Sequence, residues 1–283
     1  MAENMKIGST ASPNASPASL IDALATLDRV APVAPADLEL NTATGFTLAA
    51  DAKIDTTLRL TGARLRRLDV ALLAAHGIAR VAVRMPRLLI THPPSAEPIA
   101  TLIAGAIDAE GGVAKTSVAN GSLETACKSP NVDAVIAIGS DQSDAAHLRE
   151  LASLGQIAFN GVALSPGGTI MFGYVGLLPV LLLPGRMDSA LAAWLLLGRR
   201  LLARLSFRLI EDQPFLLELA RPLTSPRGMA EVIPVRRRAA QVEPLPGDAW
   251  SAQSIARADG WIVLPAETDN VPAGTKVQMR PWP

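Results

Sequence analysis

The sequence predicts an α/β protein: a three-layer, mostly parallel sheet domain with a small N-terminal mixed region and a C-terminal β-rich domain. Three observations carry that prediction. Between about residues 86 and 207, short apolar runs alternate with helical patterns, the rhythm of βαβ units. Three of these runs stop at turn segments: 132–138 at Gly139-Ser140-Asp141-Gln142-Ser143-Asp144, 157–164 at Ser165-Pro166-Gly167-Gly168-Thr169, and 177–182 at Leu183-Pro184-Gly185-Arg186. Past about residue 223, short strand-like stretches are separated by Pro and Gly.

Taken in order, residues 1–17 are rich in Ser, Ala, Pro and Asn without periodicity, which predicts a disordered tail. Residues 18–85 read as a mixed helical and linker region. Leu20, Leu24 and Leu27 predict a short helix capped by Ser19. Residues 37–53 read as helix and turn, broken at Gly45. Leu65, Leu68, Leu72 and Leu73 place a helix over 64–76 that Gly77 stops, and 81–83 is a short strand. Residues 86–222 form the α/β domain, with strands at 87–91, 113–118, 132–138 and 157–164. Its helices fall at 98–110, 122–128 and 141–154, followed by a strand pair, 169–174 and 178–183, around Gly176. A long helix at 188–207 turns Leu191, Trp194, Leu195, Leu201, Leu202 and Leu205 inward. Residues 223–283 form the β-rich domain, with strands at 229–235, 241–244, 260–264 and 275–279.

The 283 residues support one large domain or two to three small ones, and 49% hydrophobic content supports a real core. A net charge of +0 and 4% aromatics argue against nucleic acid and against an anionic membrane surface. Arg236-Arg237-Arg238, and Arg64 with Arg66-Arg67, read instead as solvated clusters or a subunit contact. The single Cys127 rules out an internal disulfide and fits a reducing, cytoplasmic setting; no signal-peptide pattern is visible. The most apolar stretch, 177–202, is cut by Pro179, Pro184, Arg186, Asp188, Arg199 and Arg200, so it reads as buried core, not a membrane span.

In open α/β sheets ligands bind beyond the carboxyl ends of the strands, so three loops at strand ends predict a cleft for a small anion. Arg186 stands where a helix begins. A cation there is unfavourable by roughly 0.3–1 kcal/mol unless an anion joins it, or unless Asp188 neutralises it. Asp141 and Asp144 read either as a capping arrangement or as carboxylates holding Mg²⁺ against a phosphate. Ser165-Pro166-Gly167-Gly168 is either an ordinary turn or a cradle of backbone donors. His76, His92 and His147 are too scattered for a metal site, and no P-loop or Ser/His/Asp set is present.

Five stretches resemble, in order, the molybdopterin molybdenumtransferases, the family of bacterial MoeA and the C-terminal domain of gephyrin. They are Leu65-Arg66-Arg67-Leu68-Asp69 through Gly77-Ile78; Val135-Ile136-Ala137-Ile138-Gly139-Ser140; Ser165-Pro166-Gly167-Gly168 with Phe172-Gly173; Leu182-Leu183-Pro184-Gly185; and Ala256-Arg257-Ala258-Asp259-Gly260-Trp261-Ile262-Val263-Leu264-Pro265 with Ala273-Gly274. The resemblance covers residues 18–283. It implies a molybdopterin-binding-like central domain that takes molybdopterin or its adenylylated form, a pterin phosphate. The implied contacts are Gly139, Ser140, Asp141, Ser143, Asp144, Ser165, Pro166, Gly167, Gly168, Pro184, Gly185 and Arg186, with Mg²⁺ on Asp141 and Asp144. It further implies a homodimer and a client molybdoenzyme.

The departures are equally specific. The family's inserted lobe has no room between Thr57 and Gly62, and Thr91-His92-Pro93-Pro94-Ser95 replaces its Thr-Gly-Asp-Glu-Leu loop. Both lysines around the Pro-Gly turn are gone, and so is the Asn-Pro after Leu-Pro-Gly. Three readings follow: a molybdenumtransferase-like protein with degenerate catalysis, a non-enzymatic dimeric carrier or scaffold for molybdoenzyme maturation, or an enzyme for another phosphorylated nucleotide or pterin using His147.

Overall fold

The computed structural model describes residues 16–54, 56–118, 122–139, 144–208, 214–225, 227–245 and 250–282, so most of the expected tail lies outside it. The first helix, α1 (Leu20–Leu27), starts where expected: the Ser19 hydroxyl accepts the Asp22 N–H at 3.1 Å. Strands β1 (Ala36–Glu39) and β2 (Thr47–Leu48) follow, then the hairpin β3 (Ala52–Ile54) and β4 (Thr56–Arg59), helix α2 (Arg67–Ala75) and strand β5 (Arg80–Arg84). β5 lies between β1 and β2 in an antiparallel sheet. Leu40, Leu48, Leu65, Leu73 and Val83 fill the core beneath it.

The helix expected over 37–53 is therefore a strand, a 3₁₀ turn at Leu40–Thr42 and a second strand. Pairing of Ala36–Glu39 against Arg80–Val83 decides this, a long-range contact that local pattern cannot register. In the hairpin, Ile54 pairs with Thr56.

The central unit contains β6 (Arg87–His92), α3 (Glu97–Ala109), β7 (Val113–Val118), α4 (Leu123–Cys127), β8 (Ala134–Ile138), α5 (Asp144–Leu154), β9 (Gln156–Asn160), β10 (Leu164–Ser165), β11 (Met171–Val175), β12 (Leu178–Leu183), α6 (Met187–Ala193) and α7 (Arg199–Ser206). Six strands form a sheet in the order β7-β6-β8-β12-β11-β9. The first four are parallel, and β11 runs antiparallel to both its neighbours, β12 and β9. All five residues of β8 are buried, as a strand covered on both faces requires. Leu88, Ile90, Ile136, Leu181 and Leu183 pack with Ile99, Ile103 and Trp194 on one face. Leu89, Val135, Val180 and Leu182 pack with Leu123 and Leu151 on the other, completing three layers.

The long helix expected over 188–207 forms with an interruption: a π turn at Trp194–Gly198 joins α6 to α7. Gly198 is required there, because a Cβ would lie 2.1 Å from the Trp194 ring. Opposite the rim described below, Glu110 accepts from Arg199 Nε at 2.7 Å and Arg208 Nη2 at 2.6 Å, fastening the end of α3 to α7.

The remaining elements are β13 (Phe215–Leu219), β14 (Leu223–Thr224), β15 (Ala230–Arg238), β16 (Gln241–Pro244), α8 (Ala252–Arg257), β17 (Gly260–Leu264), β18 (Asn270–Val271) and β19 (Lys276–Pro281). The order β15-β16-β13-β19-β17 closes through a β15–β17 pairing into a small barrel around Leu219, Ile233, Val242, Ile262 and Met279. The barrel also takes up β13, a strand not anticipated from the sequence. Its ring is joined to the central unit by β10, which pairs in parallel with the start of β15.

Candidate functional site

Parallel pairing brings the strand ends together. Ile138 of β8 pairs with Leu183 of β12, and the Gly139 amide donates to the Leu183 carbonyl at 2.8 Å. Gly139 and Pro184 thus leave the sheet side by side. The Ser165–Gly168 turn joins them from the third direction. Gly167 has φ +115°, and a Cβ on it would lie 3.0 Å from the Ser189 carbonyl, so the turn rests directly on the first turn of α6. Gly139, Ser165-Pro166-Gly167-Gly168 and Pro184-Gly185-Arg186 therefore border one rim. Asp144 opens α5 at the same strand end; Ser140, Asp141 and Ser143 lie outside the described residues.

Arg186 occupies the N-cap position of α6 in extended conformation. Its Nη2 lies 2.8 Å from Asp188 Oδ2 and its Nε 3.2 Å from Oδ1, a two-pronged contact. Asp188 is 5% exposed, while the Arg186 side chain is 60% exposed. Asp188 Oδ1 also accepts the Ser189 amide at 2.7 Å and its hydroxyl at 3.1 Å. Burial pushes the Asp188 carboxyl up; the bonds from Arg186 and Ser189 outweigh that and hold it below the usual carboxylate range. The aspartate anticipated as a neutraliser of Arg186 does pair with it, and the guanidinium still faces outward.

His92 was not singled out as a rim residue from the sequence. It ends β6, one residue beyond the Thr91–Ala137 pair, and so stands level with the end of β8. It is 2% exposed, and its Nδ1 lies 3.0 Å from the Pro93 carbonyl. A carbonyl only accepts, so Nδ1 carries the proton of this contact.

His147 is half-buried on α5, and exposed His76 contacts the Leu72 carbonyl through Nδ1 at 2.9 Å. Burial, with a lesser contribution from Glu150, pushes the Cys127 thiol up to about 11, which keeps it protonated at neutral pH. Among the described residues no three His, Cys, Asp or Glu side chains converge as a metal site. A hollow of about 220 Å³ lined by Leu48, Asp51, Lys53, Ile78 and Arg80 belongs to the N-terminal sheet, not the rim. The arginine clusters are engaged within the chain: Arg237 stacks over Phe215 at 4.8 Å, Arg238 pairs with Glu243, and Arg66 with Asp69. Among the described residues no helix is long and apolar enough to cross a membrane.

Residues 217–282 match the family model of the MoeA C-terminal region (domain IV). The whole chain superposes on the molybdopterin biosynthesis MoeA protein of Pyrococcus horikoshii with a TM-score of 0.78 at 18% identity, covering 94% of this chain and 99% of that one. The chain carries the MoeA fold. A molybdenum cofactor biosynthesis protein of Pyrococcus furiosus gives the same TM-score and identity, with 94% and 100% covered. A further molybdopterin biosynthesis MoeA protein structure, from Pyrococcus horikoshii OT3, gives 0.77 at 14% identity, over 94% and 100%. No curated protein sequence matches the chain. The resemblance read from the five motifs thus stands, and the MoeA-type barrel spans the Ala256–Pro265 motif that announced it.

Proposed function

We propose that this MoeA-type chain acts in molybdenum-cofactor biosynthesis or handling, and that its rim binds molybdopterin or adenylyl-molybdopterin through the phosphate. One observation carries the reading: the Gly139, Ser165–Gly168 and Pro184–Arg186 segments, far apart in sequence, border a single edge at the carboxyl ends of β8 and β12. Backbone donors at the start of the helix running from Met187 favour an anion, and Arg186 adds an outward guanidinium. The relatives of the same fold are named as proteins of molybdopterin and molybdenum-cofactor biosynthesis, which supports this choice of ligand. Asp141 and Asp144 are the proposed carboxylates for Mg²⁺. Homodimerisation, a cytoplasmic setting and a client molybdoenzyme belong to the same proposal.

The carrier reading is favoured over molybdate insertion by the make-up of the rim. Residues 91–95, 165–169 and 184–189 contain no lysine, and Arg186 is already paired with Asp188. Calorimetric titration with molybdopterin, its adenylylated form and AMP, with and without Mg²⁺, tests the binding. Binding of a pterin form without restoration of molybdenum insertion in a complementation assay supports the carrier; restoration supports the transferase. Absence of binding by every form sinks both.

A further inference from the structure

We propose that the end of the central unit opposite the rim carries a docking site for an acidic segment of a protein partner, built from Arg84, Arg204 and Phe207. Of the arginines at 199, 200, 204 and 208, three are matched by an acid: Arg199 and Arg208 by Glu110, and Arg200 by Asp28. Arg204 is hydrogen-bonded to no acid among the described residues. Asp28 feels its charge, but both Asp28 oxygens are taken by Arg200. Half-buried Arg204 has its Nε occluded without an acceptor, while its two terminal nitrogens are neither occluded nor bonded to a described residue.

Three contacts place Arg84 at the same corner. The Val33 amide donates to the Leu205 carbonyl at 2.8 Å, and the Val33 carbonyl accepts from Arg84 Nε at 3.2 Å. The Arg84 guanidinium lies 5.2 Å from the centre of the Phe207 ring. Phe207 follows Arg204 by three residues, closes α7 with φ +54° and is 48% exposed. Arg84 Nη1 is occluded without an acceptor, and no described acid pairs with Arg84.

Cations near a helix C-terminus are favoured by its dipole, which accounts for arginines at this end of α7. It does not account for guanidinium donors that lack an acceptor in a half-buried setting, where an unpaired charge is costly. A carboxylate from outside the chain supplies that acceptor through charge-assisted bonds. A bare oxyanion would leave the exposed Phe207 ring unused, whereas an acidic segment with an apolar side chain uses both. With a net charge of +0 over the chain, the attraction is local to this corner.

The test is a titration of the full chain with a labelled peptide, Glu-Asp-Leu-Glu-Asp-Leu, and with its amide counterpart, Gln-Asn-Leu-Gln-Asn-Leu, read by fluorescence anisotropy. The wild type is expected to prefer the acidic peptide at least about tenfold at low salt and to lose that preference as salt rises. The double variant Arg84→Gln/Arg204→Gln is expected to bind the acidic peptide at least about tenfold more weakly, and Phe207→Ala at least about threefold more weakly. Equal binding of the two peptides by the wild type, or no binding of either, overturns the proposal, and this comparison needs no variant to fold. Undiminished binding in the double variant overturns it as well. Inorganic phosphate that displaces the acidic peptide at equal concentration overturns the protein partner in favour of a simple anion site.

Discussion

The long helix from Met187 to Ser206 carries the same ion-pair chemistry at both ends, in opposite settings. At the rim, Arg186 meets Asp188 two residues away, and the arginine side chain stays 60% exposed. At the far end, Glu110 binds Arg199 and Arg208, 89 and 98 residues distant, with Glu110 and Arg208 each 10% exposed. The first pair is local, two residues apart, with an exposed arginine on a buried carboxylate. The second joins α3 to α7 and has no solvent to replace it. A third pair stands between: Asp28, the C-cap of α1, takes Arg200 Nε at 2.6 Å and Nη2 at 2.7 Å, both side chains being a little over a third exposed. Burial, not pairing geometry, separates the three pairs.

This comparison can be broken most directly at Glu110. Glu110→Ala removes the largely buried carboxylate that Arg199 and Arg208 share and is expected to lower unfolding free energy by about 3–5 kcal/mol in a denaturant titration. A loss below about 1 kcal/mol would mean the far cluster is no more structural than a surface pair. In Arg186→Ala, ligand affinity is expected to fall at least about tenfold by calorimetry, the loss of a charge-assisted contact. Unchanged affinity would remove Arg186 from the site.

Asp28→Asn sharpens the gradient. A half-exposed pair contributes about 0.2–1 kcal/mol, so its unfolding curve should fall close to wild type. Arg200 holds the Asp28 carboxyl below its usual range, as Arg186 and Ser189 hold that of Asp188 against the upward push of burial. A depressed carboxyl contributes stability above its unfolded value, about 3.9, and that contribution is lost as pH falls through the folded value. The gap in stability between wild type and Asp188→Asn should therefore be flat from about pH 7 to 5 and shrink below about pH 4. A gap that instead widens on acidification would contradict a depressed Asp188.

Where residues act locally, their roles were legible. Ser19 caps α1 as its hydroxyl beside an apolar repeat implied, and the run before Gly139 is the fully buried strand β8. The three turn segments announced the rim because Gly and Pro interrupt apolar runs wherever the chain must leave a sheet. The stretch at His92 stood out only as the replacement of a family loop; that His92 stands level with the end of β8 comes from strand register. The strand at Ala36–Glu39 and the π turn at Trp194 were likewise hidden, since one depends on pairing with β5 and the other on a ring lying against Gly198.

By itself the sequence determined the layered α/β architecture, the β-rich end and the family likeness, because apolar periodicity and turn chemistry are encoded within a few residues. The tertiary structure alone decided which strand ends share an edge and which barrel strand lies beside the Ser165 turn. Those relations join residues tens of positions apart, and only the completed sheet brings such groups within reach of one ligand.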